Sequence, residues 1–356
     1  VEQDGGVILG EGEPGASTPH TDGLTMPPEW APHERCVMAW PARASMWGDQ
    51  FAAAKDDYAE IARTISRYEP VLLVARPGDG EEASAACEAG SYDIEVVEWG
   101  LDDSWARDIG ALVVTDGAGR RAGVDFAFNA WGGKFTPYDE DARFAERMCA
   151  HLGIDRYEAD HLVLEGGSVC VDGAGGVITT EQCLLHPNRN PDLSKEHLEA
   201  ELETWLGVER VVWLPFGLVE DDDTDGHVDN VAASIGPNVV VAQTTADRAN
   251  PNYGRLHRNL EVLEAAGYEV RTVDVLPCAE IGGETVVVPP TNFYLANGAA
   301  IVPITAGSDL DKALDAVQSV LPSHEVVGVP GTVLAYGGGG VHCITQQVPA
   351  VAPAAT

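Results

Sequence analysis

The sequence predicts an α/β fold, and three observations carry that prediction. Short β-branched runs recur along the chain, bounded by Gly, Pro, Asn or Asp. Segments with apolar residues at three- and four-residue steps alternate with them, and the alternation repeats about five times. No linker, low-complexity block or shift in composition interrupts the body of the chain.

Taken in order, residues 1–24 are rich in Gly, Glu, Pro, Ser and Thr and read as a disordered arm. A first helix follows over Phe51 to Arg67, where Ala54, Tyr58, Ile61 and Ile65 fall on one face. Strands are expected at Val71–Ala75, Ile94–Glu98 and Ala111–Val114. A helix over Glu140–Leu152 is opened by Asp139, and one over Ser194–Leu206 by Asp192 or Ser194. Between and after these lie strands at Val169–Val171, Val211–Leu214 and Val239–Ala242. Then come a helix over Gly254–Ala266 and strands at Thr285–Val288 and Ala300–Val302. A last helix spans Leu310–Val320, with Ser308 as its cap, and residues 350–356 read as a frayed tail. The segment 25–349 is therefore expected to be a single domain.

Charge narrows the partners. Against 21 Lys and Arg stand 57 Asp and Glu, a formal net charge of −36. Each phosphate of a nucleic acid or an anionic membrane would be repelled, whereas a small cation would be drawn in. Seven cysteines, none at CxxC spacing, suggest neither a zinc site nor a redox pair nor a disulfide framework. They fit a reduced, cytoplasmic protein. No apolar run approaches the ~20 residues of a membrane span.

Four constellations could carry chemistry. Asp102–Asp108 gathers three carboxylates and Arg107 beside Trp105; the ordinary reading is a solvated turn in which Arg107 pairs with a neighbouring Asp. A large aromatic beside Asp108 would equally make a wall and an anion for a flat cation. Glu165 directly precedes the pair Gly166-Gly167, which allows close approach of backbone or ligand. The acidic run from Glu220 to Asn230 opens like a calcium loop but has Ala232 where a bidentate Glu is required, so an EF-hand is rejected. What remains is His227 and Asp229, two apart and on one face of an extended chain, an acid/base beside a binder. Finally, Gly337–Gly340 deliver Cys343 in a glycine-rich turn, a poor place to bury a thiol and a good one to present a nucleophile.

Together and in order these segments resemble the agmatine deiminase family of the guanidino-group-modifying (pentein) superfamily. The matching pieces run from Met26-Pro27-Pro28-Glu29-Trp30 through Asp103-Ser104-Trp105-Ala106-Arg107-Asp108, Asn129-Ala130-Trp131-Gly132-Gly133-Lys134 and Leu164-Glu165-Gly166-Gly167-Ser168. They continue through Asn188-Arg189-Asn190-Pro191 and Asp225-Gly226-His227-Val228-Asp229 to Gly338-Gly339-Gly340-Val341-His342-Cys343-Ile344-Thr345-Gln346-Gln347. The resemblance implies a five-bladed α/β propeller of ββαβ units with the site at its centre. It implies Cys343 as nucleophile, His227 as general acid/base, Asp108 and Asp229 as guanidinium-binding carboxylates, Glu165 as the acid that supports the His and the substrate, and Trp105 flanking the substrate. It implies no cofactor and no metal, and a dimer or larger assembly. The reaction implied is deimination of agmatine to N-carbamoylputrescine and ammonia, feeding putrescine and polyamine synthesis.

The chemistry suits the residues. Two carboxylates can fix the plane of a guanidinium for attack from one face. A bound cation and a protonated His227 would both favour the Cys343 thiolate. Two alternatives stay open at this level: deimination of another guanidino compound, such as arginine, a peptidyl arginine or a secondary metabolite, and amidino transfer to an amine.

Overall fold

A computed structural model of the chain describes residues 8–9, 17–87 and 90–351. Its architecture is α/β, and one pairing pattern recurs in five sheets. In each, two strands form an antiparallel pair, a helix follows, and the next strand lies parallel to the second. The first such unit is Leu112–Thr115, Arg121–Ala127, the helix Phe144–Leu152 and Asp155–Val163. The second is Val169–Val171, Gly176–Thr180, Lys195–Leu206 and Arg210–Leu214. The third is Ala232–Gly236, Val239–Thr244, Tyr253–Ala265 and Glu269–Asp274. The fourth is Tyr294–Ala296, Ala299–Ile304, Leu310–Val320 and Glu325–Pro330. The fifth is assembled from distant parts of the chain. Thr345–Pro349 pairs antiparallel with His33–Ala39, which continues through the helix Phe51–Ile65 to the parallel strand Val71–Ala75. Val37 accordingly faces Gln346 on one side and Leu72 on the other.

The helices form where the apolar steps predict them. Phe51–Ile65 buries Ala54, Tyr58, Ile61 and Ile65, each removed from water and each contributing on the order of 1–3 kcal/mol according to size. Its Tyr58 hydroxyl meets Ser104 Oγ at 3.0 Å, tying the helix to the turn that carries Trp105. Ser194 caps its helix by accepting from the His197 N–H at 3.3 Å. At the last helix the cap is Asp309, accepting from Lys312 N–H at 3.2 Å, and not Ser308, whose hydroxyl donates instead to the Thr305 carbonyl. The strand expected at Thr285–Val288 is shorter, Glu284–Val286, in a hairpin with Ala279–Ile281 outside the five sheets.

The disorder expected up to residue 24 does not extend that far. Residues 17–24 form a turn closed by Leu24 N–H to the Pro19 carbonyl, Leu24 is fully buried, and Asp22 accepts from the Tyr157 hydroxyl and pairs with Arg120. A single apolar side chain in a polar stretch gave no periodic signal for this. Ile8–Leu9 depart from the expected disorder too, forming a short strand parallel to Asp155–Val163; the other residues before 17 and most of the 350–356 tail lie outside the described residues. Among the described residues no helix is long and apolar enough to cross a membrane.

Candidate active site

The five units contribute to one place, and each does so from the segment entering its first strand. Asp108 lies just before Leu112, Glu165 before Val169, Asp229 before Ala232, Asn292 before Tyr294 and Cys343 before Thr345. Cys343 Sγ is 3.6 Å from Asp229 Oδ2 and 3.3 Å from Asn292 Nδ2. The thiol shares a narrow cleft with Asp108, Trp105, Trp131, Phe135 and Asp223. Gly167 marks the meeting point: a Cβ there would lie 2.5 Å from His227 Nδ1 and 2.9 Å from both Asp108 Oδ1 and Asp229 Oδ2. Only glycine leaves these three side chains room to converge. All six side chains expected from the sequence are therefore brought together: Cys343, His227, Asp108, Asp229, Glu165 and Trp105 are at most 6% exposed.

Local expectations about them need correcting. Cys343 is buried, although it follows a glycine run. The run exists because aromatic rings press on it: a Cβ at Gly337 would overlap Trp47, and one at Gly339 would overlap Trp105. His227 and Asp229 do not share an extended chain; Asp229 lies in a 3-10 turn, Val228–Asn230, that starts directly after His227. Arg107 does not pair with a neighbouring Asp. Its buried guanidinium reaches Glu29 at 3.1 Å and Gln347 at 2.5 Å, and the Arg107 backbone N–H donates to the Cys343 carbonyl. The acidic loop before His227 is not merely a surface feature. Asp221 is buried and accepts from the Thr224 hydroxyl, the His227 N–H at 3.0 Å and Asn230 Nδ2 at 3.0 Å, so it templates the turn that presents His227.

Trp131 sits in left-handed backbone (φ 54°), strained for an aromatic residue, with Asn129 accepting from the Gly132 N–H beneath it. That conformation aims the indole N–H at Asp108 Oδ2, 2.9 Å away, while Gly167 N–H donates to Oδ1 at 3.0 Å. Trp105 stacks on Trp47 at 5.7 Å and walls the same cleft. Glu165 is held by the Arg189 guanidinium at 2.6 Å, and Arg189 also reaches Asp225 at 2.9 Å. Asn292, absent from the sequence reading, links Cys343 to Asn230 Oδ1 at 2.9 Å. His342 was quoted only as part of a motif. It joins Asp229 at 2.8 Å to Glu29 at 2.7 Å.

The protonation pattern follows from burial and charge. Burial, then the Asp229 and Asp108 carboxylates, push the Cys343 thiol well up. Burial, then Asp229 and Glu165, raise Asp108 to about 8. Asp229 moves the other way: burial opposes ionisation, but the bond to His342 and its charge hold the carboxyl below the usual range. Burial lowers His227 to about 3, against the pull of Asp229, so its imidazole is neutral in the empty site. Its ring nitrogens stand 3.9 Å from Asp108 and 4.0 Å from Glu165, and neither has a hydrogen-bond partner. Protonation of His227, expected to favour the thiolate, is thus opposed before substrate binds, because burial outweighs the nearby acids. Glu165, Cys183 and His227 have donor atoms within 4.8 Å of one another, but a metal ion among them would face the Arg189 guanidinium on Glu165.

The sequence model of the Porphyromonas-type peptidyl-arginine deiminase family matches residues 25–349. An agmatine deiminase of Pseudomonas aeruginosa is 40% identical, the match covering 94% of this chain and 98% of the relative. One of Stutzerimonas stutzeri is 39% identical over 94% and 98%. Among solved structures, the agmatine deiminase of Enterococcus faecalis superimposes with a TM-score of 0.89 at 34% identity, covering 95% of this chain and 99% of that one. A substrate-bound agmatine deiminase of C. jejuni gives 0.83 at 26% identity, covering 91% and 96%.

Proposed function

The chain belongs to the Porphyromonas-type peptidyl-arginine deiminase family, and from that premise we infer that it hydrolyses agmatine to N-carbamoylputrescine and ammonia. One observation carries the choice of agmatine over arginine. The cleft that holds Cys343 and Asp108 is walled by Trp105, Trp131 and Phe135 and bordered by the Asp223 carboxylate, and none of the described residues lining it is Lys or Arg. Such a cleft suits an aliphatic chain with a second cation and leaves an α-carboxylate without a counter-charge. Relatives named agmatine deiminases, similar over nearly their whole length, support the same reading.

The side chains divide the work as follows. Asp108 and Asp229 take the guanidinium N–H groups and fix its plane. The substrate cation makes ionisation of Asp108 and of Cys343 favourable. Cys343 passes its proton to neutral His227, and the thiolate attacks the guanidinium carbon. His227 returns the proton to the departing nitrogen, ammonia leaves, and an amidino-thioether remains on Cys343. His227, neutral again, takes a proton from water; the hydroxide adds to the carbon, the C–S bond breaks with its electron pair on sulfur, the added hydroxyl gives its proton to Asp108, and His227 returns its proton to Cys343 as the ureido product leaves. Glu165, neutralised by Arg189, backs His227, and Trp105 covers one face of the substrate.

The finer fold is part of the same reading: five like units, each delivering one side chain to a common site, fit a five-bladed propeller closed around a channel. So are a single catalytic unit over residues 25–349, a cytoplasmic location, assembly into a dimer or larger oligomer, a role in putrescine supply, and no need for nucleic acid, membrane, metal or organic cofactor. The deciding assay measures ammonia and ureido product from agmatine, arginine, a peptidyl arginine and 4-guanidinobutyrate. Agmatine is expected to show the highest kcat/KM. Preferential turnover of arginine, or amidino transfer to added ornithine or glycine, would overturn the assignment.

A further inference from the structure

His342 lies beside the nucleophile, yet the steps above do not use it. Its two ring nitrogens both face carboxylate oxygens, Asp229 Oδ2 at 2.8 Å and Glu29 Oε2 at 2.7 Å. Ionised carboxylates only accept, and a neutral imidazole donates from one nitrogen only, so this double contact requires both nitrogens to carry protons. The remaining neighbours fix the bridge. Arg107 reaches Glu29 at 3.1 Å and donates from Nε to the His342 carbonyl at 3.3 Å, and Asn292 Oδ1 accepts from the His342 N–H at 3.0 Å. Asp229 uses the same Oδ2 atom toward His342 and toward Cys343 Sγ, while Oδ1 has no partner.

We propose that His342 is a positioning residue of the reaction, a bridge from Glu29 that clamps one oxygen of Asp229 and leaves the other free to accept a guanidinium N–H. The proposal rests on the guanidinium clamp assigned above. The charges around the ring agree with it. Burial and Arg107 oppose protonation of His342, but Glu29 and Asp229 outweigh them and its pKa is raised. Glu29 is held down to about 2 despite its burial, by His342 and Arg107. Asp108 and Asp229 thus do different things: the first takes its charge from the substrate, the second is set as an anion before substrate arrives.

The test compares wild type with His342→Gln and Glu29→Gln. Losing a charge-assisted bond to Asp229 should lower agmatine kcat/KM about 10- to 100-fold in His342→Gln. The acid limb of its pH profile, set by Asp108 in wild type, should steepen from one proton toward two and move up, because Asp229 then also titrates nearer neutrality. Glu29→Gln, which keeps the imidazole on Asp229, should shift the limb the same way by less. A purely structural role would lower Tm and leave the limb in place, and an unmoved limb in both variants overturns the proposal. Should His342→Gln not fold, the Glu29→Gln limb alone decides. Labelling of Cys343 by cationic chloroacetamidine, relative to neutral iodoacetamide and read by mass spectrometry, needs no agmatine turnover. Wild type should prefer the amidine at least tenfold more than His342→Gln does. That preference would survive even if agmatine proved to be the wrong substrate, so the two failures can be told apart.

Discussion

Binding of agmatine should release a proton, and the amount follows from one side chain. In the empty site Asp108 titrates at about 8, because burial and the neighbouring Asp229 and Glu165 oppose its charge. At pH 7 such a group is protonated in about 0.9 of molecules, at pH 8 in about half and at pH 9 in about a tenth. A guanidinium held against it returns the pKa to the ordinary carboxylate range or below, so that occupancy is lost on binding. The sign is fixed: a group whose pKa falls on binding gives up protons, and affinity rises with pH until the free-site pKa is passed. Agmatine Kd should therefore tighten nearly tenfold between pH 6 and 7, about fivefold between 7 and 8, and little beyond. The experiment uses Cys343→Ala, which removes the thiol proton and prevents turnover. Calorimetry at pH 7 in buffers of different ionisation enthalpy gives the proton count as a slope, expected near 0.9 and falling to about 0.1 at pH 9. Adding Asp108→Asn should bring the slope to zero at every pH. A slope near zero in Cys343→Ala at pH 7, or a Kd that does not vary from pH 6 to 8, would refute the assignment of Asp108 as the protonated partner.

Three further outcomes test other parts of the site. Cys343→Ala should keep the fold and abolish ammonia release, whereas replacing the exposed Cys278 by Ala should leave kcat unchanged; equal loss from both would mean that the nucleophile is misassigned. Gly339→Ala would drive a methyl into Trp105, so agmatine KM should rise at least tenfold with the unfolding free energy lowered by about 1–3 kcal/mol of overpacking; unchanged KM would remove Trp105 from the substrate wall. Arg189→Met strips the buried Glu165 of its counter-ion and should cost about 3–5 kcal/mol in urea unfolding at pH 7, with part recovered at acid pH as Glu165 protonates; a loss below 1 kcal/mol would show that Glu165 is already neutral.

The sequence made the class of the fold legible because its periodic signals are strong where packing is simple. The helix expected at Leu310–Val320 and the strands at Val71–Ala75 and Ile94–Glu98 have the expected bounds. Motif residues were legible through resemblance, and Asp108, His227 and Cys343 indeed lie together. What stayed hidden depends on tertiary contact. Asp221 looked like one more surface acid, because nothing local shows that four donors close on it. Asn292 stands in a stretch with no charge, and its signal was positional: four other units place a polar side chain just before their first strand. Looking for the fifth before Tyr294 would have found it. The burial of Cys343 was missed because glycines were read as exposed loop, when here they make room for Trp47 and Trp105.

The distribution of charge explains why a cation belongs in this site. Glu29 and Asp229 share His342, Glu29 also has Arg107, and Glu165 has Arg189. Of these four acids Asp108 alone receives only neutral donors, the Trp131 indole and the Gly167 amide, and so keeps its proton. A guanidinium supplies the counter-charge that the protein withholds, and it does so where the Cys343 thiol needs the same help. The ureido group is neutral, so once it forms the Asp108 carboxylate is again without a partner and recovers a proton. The residue that is uncharged without substrate thus takes its charge only against a guanidinium and gives it up when the ureido group forms, so it loosens the hold on product more than a pocket with two permanently ionised acids would.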